Sequence, residues 1–276
     1  MEHHVTELTQ FVNHYLGHFA LALFSALHIK SSNPETPIPE SLVMAVLVLI
    51  VCTALALFLR SRLSVERPGA TQQIAELLLT NPFGFGIRDL LHENTGHEGD
   101  KYVPFVGSIS IFILFSNLLG LFPRLAAPTG IVSVPLGCAI LTFLYFNWQG
   151  IRHHGALGYL LTFAGSPKKA GDWALALLLL PVEIISTTAR VLSLTVRLWA
   201  NMFASDLIYS IFLGLLSAGA AFGWSKSPIL GLILGIFPAT IPIAFLGLHI
   251  FVSVVQAYVF TVLPSVYLGL ATAEEH

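Results

Sequence analysis

Two apolar stretches, residues 172–216 and 228–270, are each far longer than one bilayer crossing requires. A crossing helix needs about 20 predominantly apolar residues. Written as one helix, 172–216 would be about 67 Å long, roughly twice the thickness of the hydrocarbon layer. No proline or glycine interrupts it between Pro181 and Gly214, so no hairpin turn is expected inside it. A long, steeply tilted helix is what remains. The same holds for 228–270, where Pro238, Pro242 and Pro264 are expected to kink the helix. The run SAGAAFGWSKS is read as their connection, centred near residue 224.

Three shorter stretches qualify as ordinary crossings: 41–59, 103–122 and 131–149. The last two form a hairpin around PRLAAPTG. Only 10% of the residues are charged and 55% are hydrophobic, against about 25% charged in a soluble domain. So few ions do not cover a water-facing surface of this size. The net charge of −2, without a cluster of Lys and Arg, excludes a nucleic-acid partner. Cys52 and Cys138 both lie in apolar runs and are read as buried free thiols. Neither they nor the pairs His14/His18 and His153/His154 form a metal-ligand set, and no cofactor is expected. MEHHVTELTQ lacks the basic region of a cleavable signal peptide, so the N-terminus is expected to be retained.

Charge asymmetry orients the spans. With five crossings and the N-terminus outside, inside segments hold Arg60, Arg62, Arg67, Arg88, Lys101, Arg152, Lys168 and Lys169. Outside segments hold Lys30, Arg124 and Lys226, which fits the positive-inside rule. Residues 11–29 are a rival crossing, but Asn13, His14, His18 and His28 make an interfacial amphipathic helix the better reading. The expected organisation is an all-α integral membrane protein with about five crossing helices. It runs from an external segment (1–40) and a first transmembrane helix (41–60) to a cytoplasmic amphipathic segment (61–102) and a transmembrane hairpin (103–150). A cytoplasmic loop (151–171), a long tilted helical hairpin (172–270) and a cytoplasmic tail (271–276) complete it.

Inside the first long stretch sit Glu183, Arg190, Arg197 and Asp206. A central Arg or Asp costs about 2.5–3.5 kcal/mol on insertion scales, so such groups rarely face lipid and mark ion pathways. At about 100° per residue, Arg190 and Arg197 fall within about 40° of Glu183. Ser186, Thr187, Ser193, Asn201 and Ser205 lie on that side, whereas Asp206 shares a different face with Thr188 and Thr195. In the last stretch His249, Ser253 and Gln256 share a face at spacings of four and three. A connection centred near 224 sets Arg197 level with about residue 251 and brings Asp206 toward His249, the one group here that ordinarily titrates near neutrality.

SLTVRLWANMFASDLI resembles the motif of subunit a of bacterial F-type ATP synthases: an Arg-Leu, two variable residues, Asn-Met, then an acidic residue and Leu-Ile. Here these are Arg197, Leu198, Asn201, Met202, Asp206, Leu207 and Ile208. LHIFVSVVQAYVFTVLPSVYLGLATAEEH is similar to the family's last helix, with His249 and Gln256 at its polar positions. The similarity runs from about residue 70 to the end. Trp199 and Ala200 stand where Phe and Gly are usual, and Asp206 where many members carry Glu. Gly120 and Ile131 fill positions that are acidic in some relatives.

The resemblance implies a proton-translocating stator subunit of a rotary motor in the bacterial inner membrane, not an enzyme by itself. Arg197 would be the essential cation facing the carboxylates of a ring of small hairpin subunits, the c subunits. Asp206 and His249 would line the inlet half-channel, Gln256 and Asn201 would position Arg197, and Glu183 and Arg190 would lie on the exit side. Other implied partners are the peripheral-stalk subunit b, membrane lipid and, indirectly, the soluble catalytic head. The alternative is an autonomous secondary ion transporter, which predicts internal repeats that the sequence does not display.

Overall fold

The computed structural model describes residues 6–26, 36–64, 68–81, 84–122, 125–165 and 172–273. His28, Lys30, Arg67, Arg124, Lys168 and Lys169 lie outside them, as do the side chains of Pro238 and Pro242. The regular elements among the described residues are all helical. In chain order they are α1 (Glu7–Ala26), α2 (Glu40–Arg62), α3 (Ala70–Leu79), α4 (Ile87–Thr95), α5 (Val103–Leu119), α6 (Ser133–Phe163), α7 (Asp172–Lys226) and α8 (Pro228–Thr272). Short 3-10 turns at Gly96–Lys101 and Pro128–Gly130 precede α5 and α6.

Four helices, α2, α6, α7 and α8, are long and apolar enough to cross a bilayer, and α5 makes a fifth when joined to the bent segment before it. The protein is thus an all-α membrane protein of about five crossings. α1 is not among those candidates; Phe11, Tyr15, Leu16 and Phe19 are all exposed along it. Its Asn13 is buried and needs no water: Nδ2 donates to the Ile38 carbonyl at 3.0 Å while Oδ1 accepts from the Ile38 amide at 2.9 Å. A polar side chain that counts against a membrane span here ties α1 to the chain entering α2.

The chain forms two compact units. One comprises 1–50, 114–134 and 198–256; the other comprises 51–113, 135–197 and 257–276. The second holds an aromatic-rich core of Leu91, Tyr102, Val106, Phe146 and Leu268, flanked by the stacked rings of Phe105 and Tyr145 at 3.6 Å. Within that unit Gly269 meets α4 so closely that a Cβ there would lie 2.3 Å from the Asn94 carbonyl oxygen.

Three expectations about boundaries are revised. Helix α7 is 55 residues long and absorbs the run SAGAAFGWSK, leaving Ser227 alone as the connection to α8. The small residues in that run serve close packing instead of a loop: a Cβ on Gly223 would sit 2.7 Å from the Cα of Gly231. Ser227 caps α8, its Oγ accepting from the Leu230 amide at 3.1 Å, and Pro228 takes the first helical position, where its missing N–H costs nothing. Secondly, 151–163, expected as loop, is helical. Gly155, at φ 74°, breaks α6, and the glycine at 150 lets Tyr159 fold back so that its hydroxyl donates to Asn147 Oδ1 at 3.1 Å. Thirdly, the long hairpin is symmetric about residue 227, the midpoint of both the Gly223/Gly231 and the Ser205/His249 pairs. The connection is therefore centred on residue 227, not near 224.

Candidate functional site

In the first unit, α7 and α8 bring together the acid and the imidazole that the sequence singles out. Asp206 Oδ1 lies 3.8 Å from His249 Nδ1, and Ser205 Oγ lies 2.8 Å from the same nitrogen. The other ring nitrogen, Nε2, is 3.0 Å from the Asn117 backbone carbonyl. A carbonyl oxygen only accepts, so Nε2 carries a hydrogen. In the neutral ring Nδ1 is then the acceptor of a hydrogen bond that the Ser205 hydroxyl donates. Only Nδ1 is free to gain a proton, and it faces Asp206. The imidazole is buried, whereas the Asp206 side chain keeps 44% of its exposure.

The chain between α5 and α6 covers this pair. Asn117, on α5, is fully buried; its Oδ1 accepts from Thr129 Oγ1 at 2.6 Å, fastening the 3-10 turn to the helix. A Cβ on Gly130 would lie 3.4 Å from Asp206 Oδ2, and one on Gly120 would lie 3.5 Å from His249 Cε1. Of the two positions set apart in the sequence, Gly120 thus abuts the imidazole, while Ile131 is exposed. Asn117, Ser116 and Thr129 escaped the sequence reading. The signal for the first two is the adjacent polar pair SN inside a mostly apolar crossing.

The polar face of α8 turns inward. His249, Ser253 and Gln256 are all buried, and Ser253 Oγ donates to the His249 carbonyl at 2.8 Å. Among the described residues Gln256 Oε1 has no partner. On α7 the buried line is Thr187, Leu194, Leu198 and Met202, and beside it Ser193, Arg197 and Asn201 are exposed. Arg197 forms no ion pair with any described acid. It stands two residues from the midpoint of α7.

In the second unit Arg190 Nη2 meets Glu183 Oε1 at 3.2 Å, and Thr187 Oγ1 donates to the same oxygen at 3.4 Å. The Arg190 guanidinium lies 5.2 Å from the centre of the Tyr267 ring. These groups line a cavity of about 300 Å³ that also touches Tyr159 and Thr162. The single polar stripe read from the sequence is therefore divided: its Glu183–Arg190 end is paired and lines a cavity, and its Arg197–Asn201 end is exposed. Among the described residues no group of three or more His, Cys, Asp or Glu side chains could hold a metal.

Comparison with known proteins gives this arrangement its family. The ATP synthase A chain family model matches residues 41–269. The chain belongs to that family. ATP synthase subunit a of Koribacter versatilis (strain Ellin345) is 37% identical over 273 residues, covering 99% of each chain. The Solibacter usitatus (strain Ellin6076) protein of the same name is 39% identical over 260 residues, covering 94% of this chain and 98% of its own. ATP synthase subunit a 1 of Syntrophotalea carbinolica is 34% identical over 230 residues, with 83% and 84% covered. Membership thus extends well before residue 70, where the motif-based similarity was expected to begin. As a member of the ATP synthase A chain family, the protein is a multi-pass membrane subunit of the complex and not an enzyme on its own.

Proposed function

We propose that this chain is the proton-conducting stator of the rotary ATP synthase, with two offset half-channels and Arg197 as the cation that separates them. The observation that carries the reading is Arg197 itself. A guanidinium near the middle of a membrane helix, exposed and without an acidic partner among the described residues, calls for an anion from another chain. A ring of c subunits, each carrying a carboxyl group at that depth, supplies one. A fixed cation holds an approaching carboxylate ionised, and Arg stays charged at any working pH. Protons then board and leave the ring only on either side of Arg197.

On the inlet side Asp206 takes the proton, and His249, pinned through Nε2, gives and receives at Nδ1 alone. Gln256 and Asn201 position groups around the cation. The exit side runs through the cavity holding Glu183 and Arg190. The N-terminus lies outside and the C-terminus in the cytoplasm, which puts Arg60, Arg62, Lys101 and Arg152 on one face of the inner membrane. The segments 1–40, 61–102 and 271–276 then lie outside the bilayer. Subunit b and, through it, the catalytic head complete the contacts of the stator.

The test is ATP-driven proton pumping by the reconstituted complex carrying Arg197→Ala or Arg197→Lys. Arg197→Ala abolishes coupled pumping while the complex still assembles, and Arg197→Lys restores little, because a compact ammonium group lacks the planar fork. Normal pumping by Arg197→Ala, or transport of a solute by the purified chain alone, overturns the reading.

A further inference from the structure

A second polar cavity, of about 460 Å³, lies in the second unit and has no part in the proton path. It is lined by Glu98, Lys101, Tyr102, Gln149, Arg152 and His153. Its position is set by the fold. The chain bends by 114° between the segment Ile87–Lys101 and α5, so the cavity sits where an apolar helix begins. Gln149, Arg152 and His153 come from the last turns of α6 before its break at Gly155, where another apolar segment ends. Both boundaries belong to the depth at which hydrocarbon gives way to headgroups.

Lys101 pairs with Glu98, which leaves Arg152 as the surplus charge, with His153 beside it. No described acid forms an ion pair with Arg152. Leading up to the cavity, α6 exposes Leu141, Leu144, Trp148 and Ile151, spaced as one helical stripe. Trp148 is 63% exposed and occupies the turn next to Gln149 and Arg152. An apolar stripe ending in an interfacial tryptophan, with a cationic cavity beyond it, matches a molecule with acyl chains and an anionic head.

We infer that this cavity binds the phosphate headgroup of an anionic phospholipid, whose chains lie along Leu141–Ile151. Arg152 and Lys101 hold the phosphate, while Gln149 and His153 bond its oxygens. Glu98 opposes binding by occupying Lys101, so its removal strengthens the site. A free phosphate shares the headgroup chemistry but gains nothing from the stripe.

The experiment uses the intact ATP synthase complex in nanodiscs of zwitterionic lipid containing graded amounts of spin-labelled phosphatidylglycerol, and reads the immobilised fraction. Each cation removed, by Arg152→Gln or Lys101→Gln, moves the half-saturating lipid fraction upward roughly fivefold. Arg152→Lys keeps most of the binding. Glu98→Gln lowers the half-saturating fraction, a gain that a misfolded chain does not produce. Trp148→Ala weakens lipid retention with the charges intact. Equal immobilisation in wild type and the Lys101→Gln/Arg152→Gln variant overturns the inference. So does displacement of the label by millimolar inorganic phosphate, which would assign the cavity to free phosphate. Loss of another subunit from that variant with lipid binding unchanged would assign it to a protein contact.

Discussion

The close approach of α7 and α8 beside Ser227 yields a prediction with opposite signs at two glycines of one helix. A Cβ added at Gly223 would lie 2.7 Å from the Cα of Gly231, 2.8 Å from its amide nitrogen and 2.8 Å from the Leu230 carbonyl oxygen. All three are backbone atoms, so no side chain can swing aside. Restoring ordinary contact near 3.4 Å separates the two helices by about 0.7 Å. Overpacking of this kind costs about 1–3 kcal/mol, and the backbone origin of the clash favours the upper half of that range. Alanine returns about 1 kcal/mol of helix propensity, leaving a net loss of about 1–2 kcal/mol for Gly223→Ala. At Gly214 nothing lies within 4 Å of the added atom, so Gly214→Ala keeps the propensity gain alone. The assay is the half-life for retention of this chain in the detergent-solubilised complex at a fixed elevated temperature, since unfolding of such an assembly is a rate. Packing lost from the native state but absent from the unfolding transition state shortens that half-life roughly five- to thirtyfold for Gly223→Ala. Gly214→Ala leaves it unchanged or longer. A Gly223→Ala complex as durable as wild type, or equal losses at both sites, would refute the packing argument.

Two further outcomes are expected. Solid-state ¹⁵N spectra of the neutral ring of His249 show the Nε2–H tautomer, because that nitrogen donates to the Asn117 carbonyl; an Nδ1–H ring would refute the single-atom exchange proposed for the inlet. In the segment before α5, hydrogen bonds from Arg88 and His92 hold the Asp100 carboxyl below the usual carboxylate range, and Lys101 does the same for Glu98. A depressed folded value means that the contribution is complete above the unfolded carboxylate's titration and is lost as pH falls through the folded one. Hydrogen-exchange protection over 87–101 is thus constant from neutral pH down to the ordinary carboxylate range, then declines; Asp100→Asn removes most of that acid-dependent decline.

The helices were legible because apolar length is local information, and α2, α5 and α6 begin close to where the apolar runs do. The long hairpin was legible in kind but misplaced in register. Its glycine- and alanine-rich end has the composition of a loop, although the true stop, Ser227 followed by Pro228, is a capping pair visible in the sequence. The break at Gly155 carried a weaker signal, since one glycine in a polar stretch does not reveal that Tyr159 will fold back over Gly150. Asp206 and His249 stood out because ionisable groups are costly in apolar helices. Asn117 and Thr129 did not, because their role depends on a turn closing over helices more than 70 residues later in the chain.

That dependence bears on how a proton can travel. An imidazole relays a proton through itself when it receives at one nitrogen and releases from the other. Here one nitrogen is committed to a backbone carbonyl, which has no proton to exchange and nowhere to pass one. In the proposed inlet the ring then acts as a side station to Asp206, gaining and returning charge at Nδ1, with Ser205 adjusting its hydroxyl to either state. On that proposal the half-exposed carboxyl of Asp206 is the group that meets both the water outside and the proton's next acceptor. In the proposed motor this arrangement suits a short acidic side chain at position 206. Gly130 lies within 3.4 Å of Oδ2 for an added Cβ, so the 3-10 turn already closes on the carboxyl that a longer side chain would extend toward.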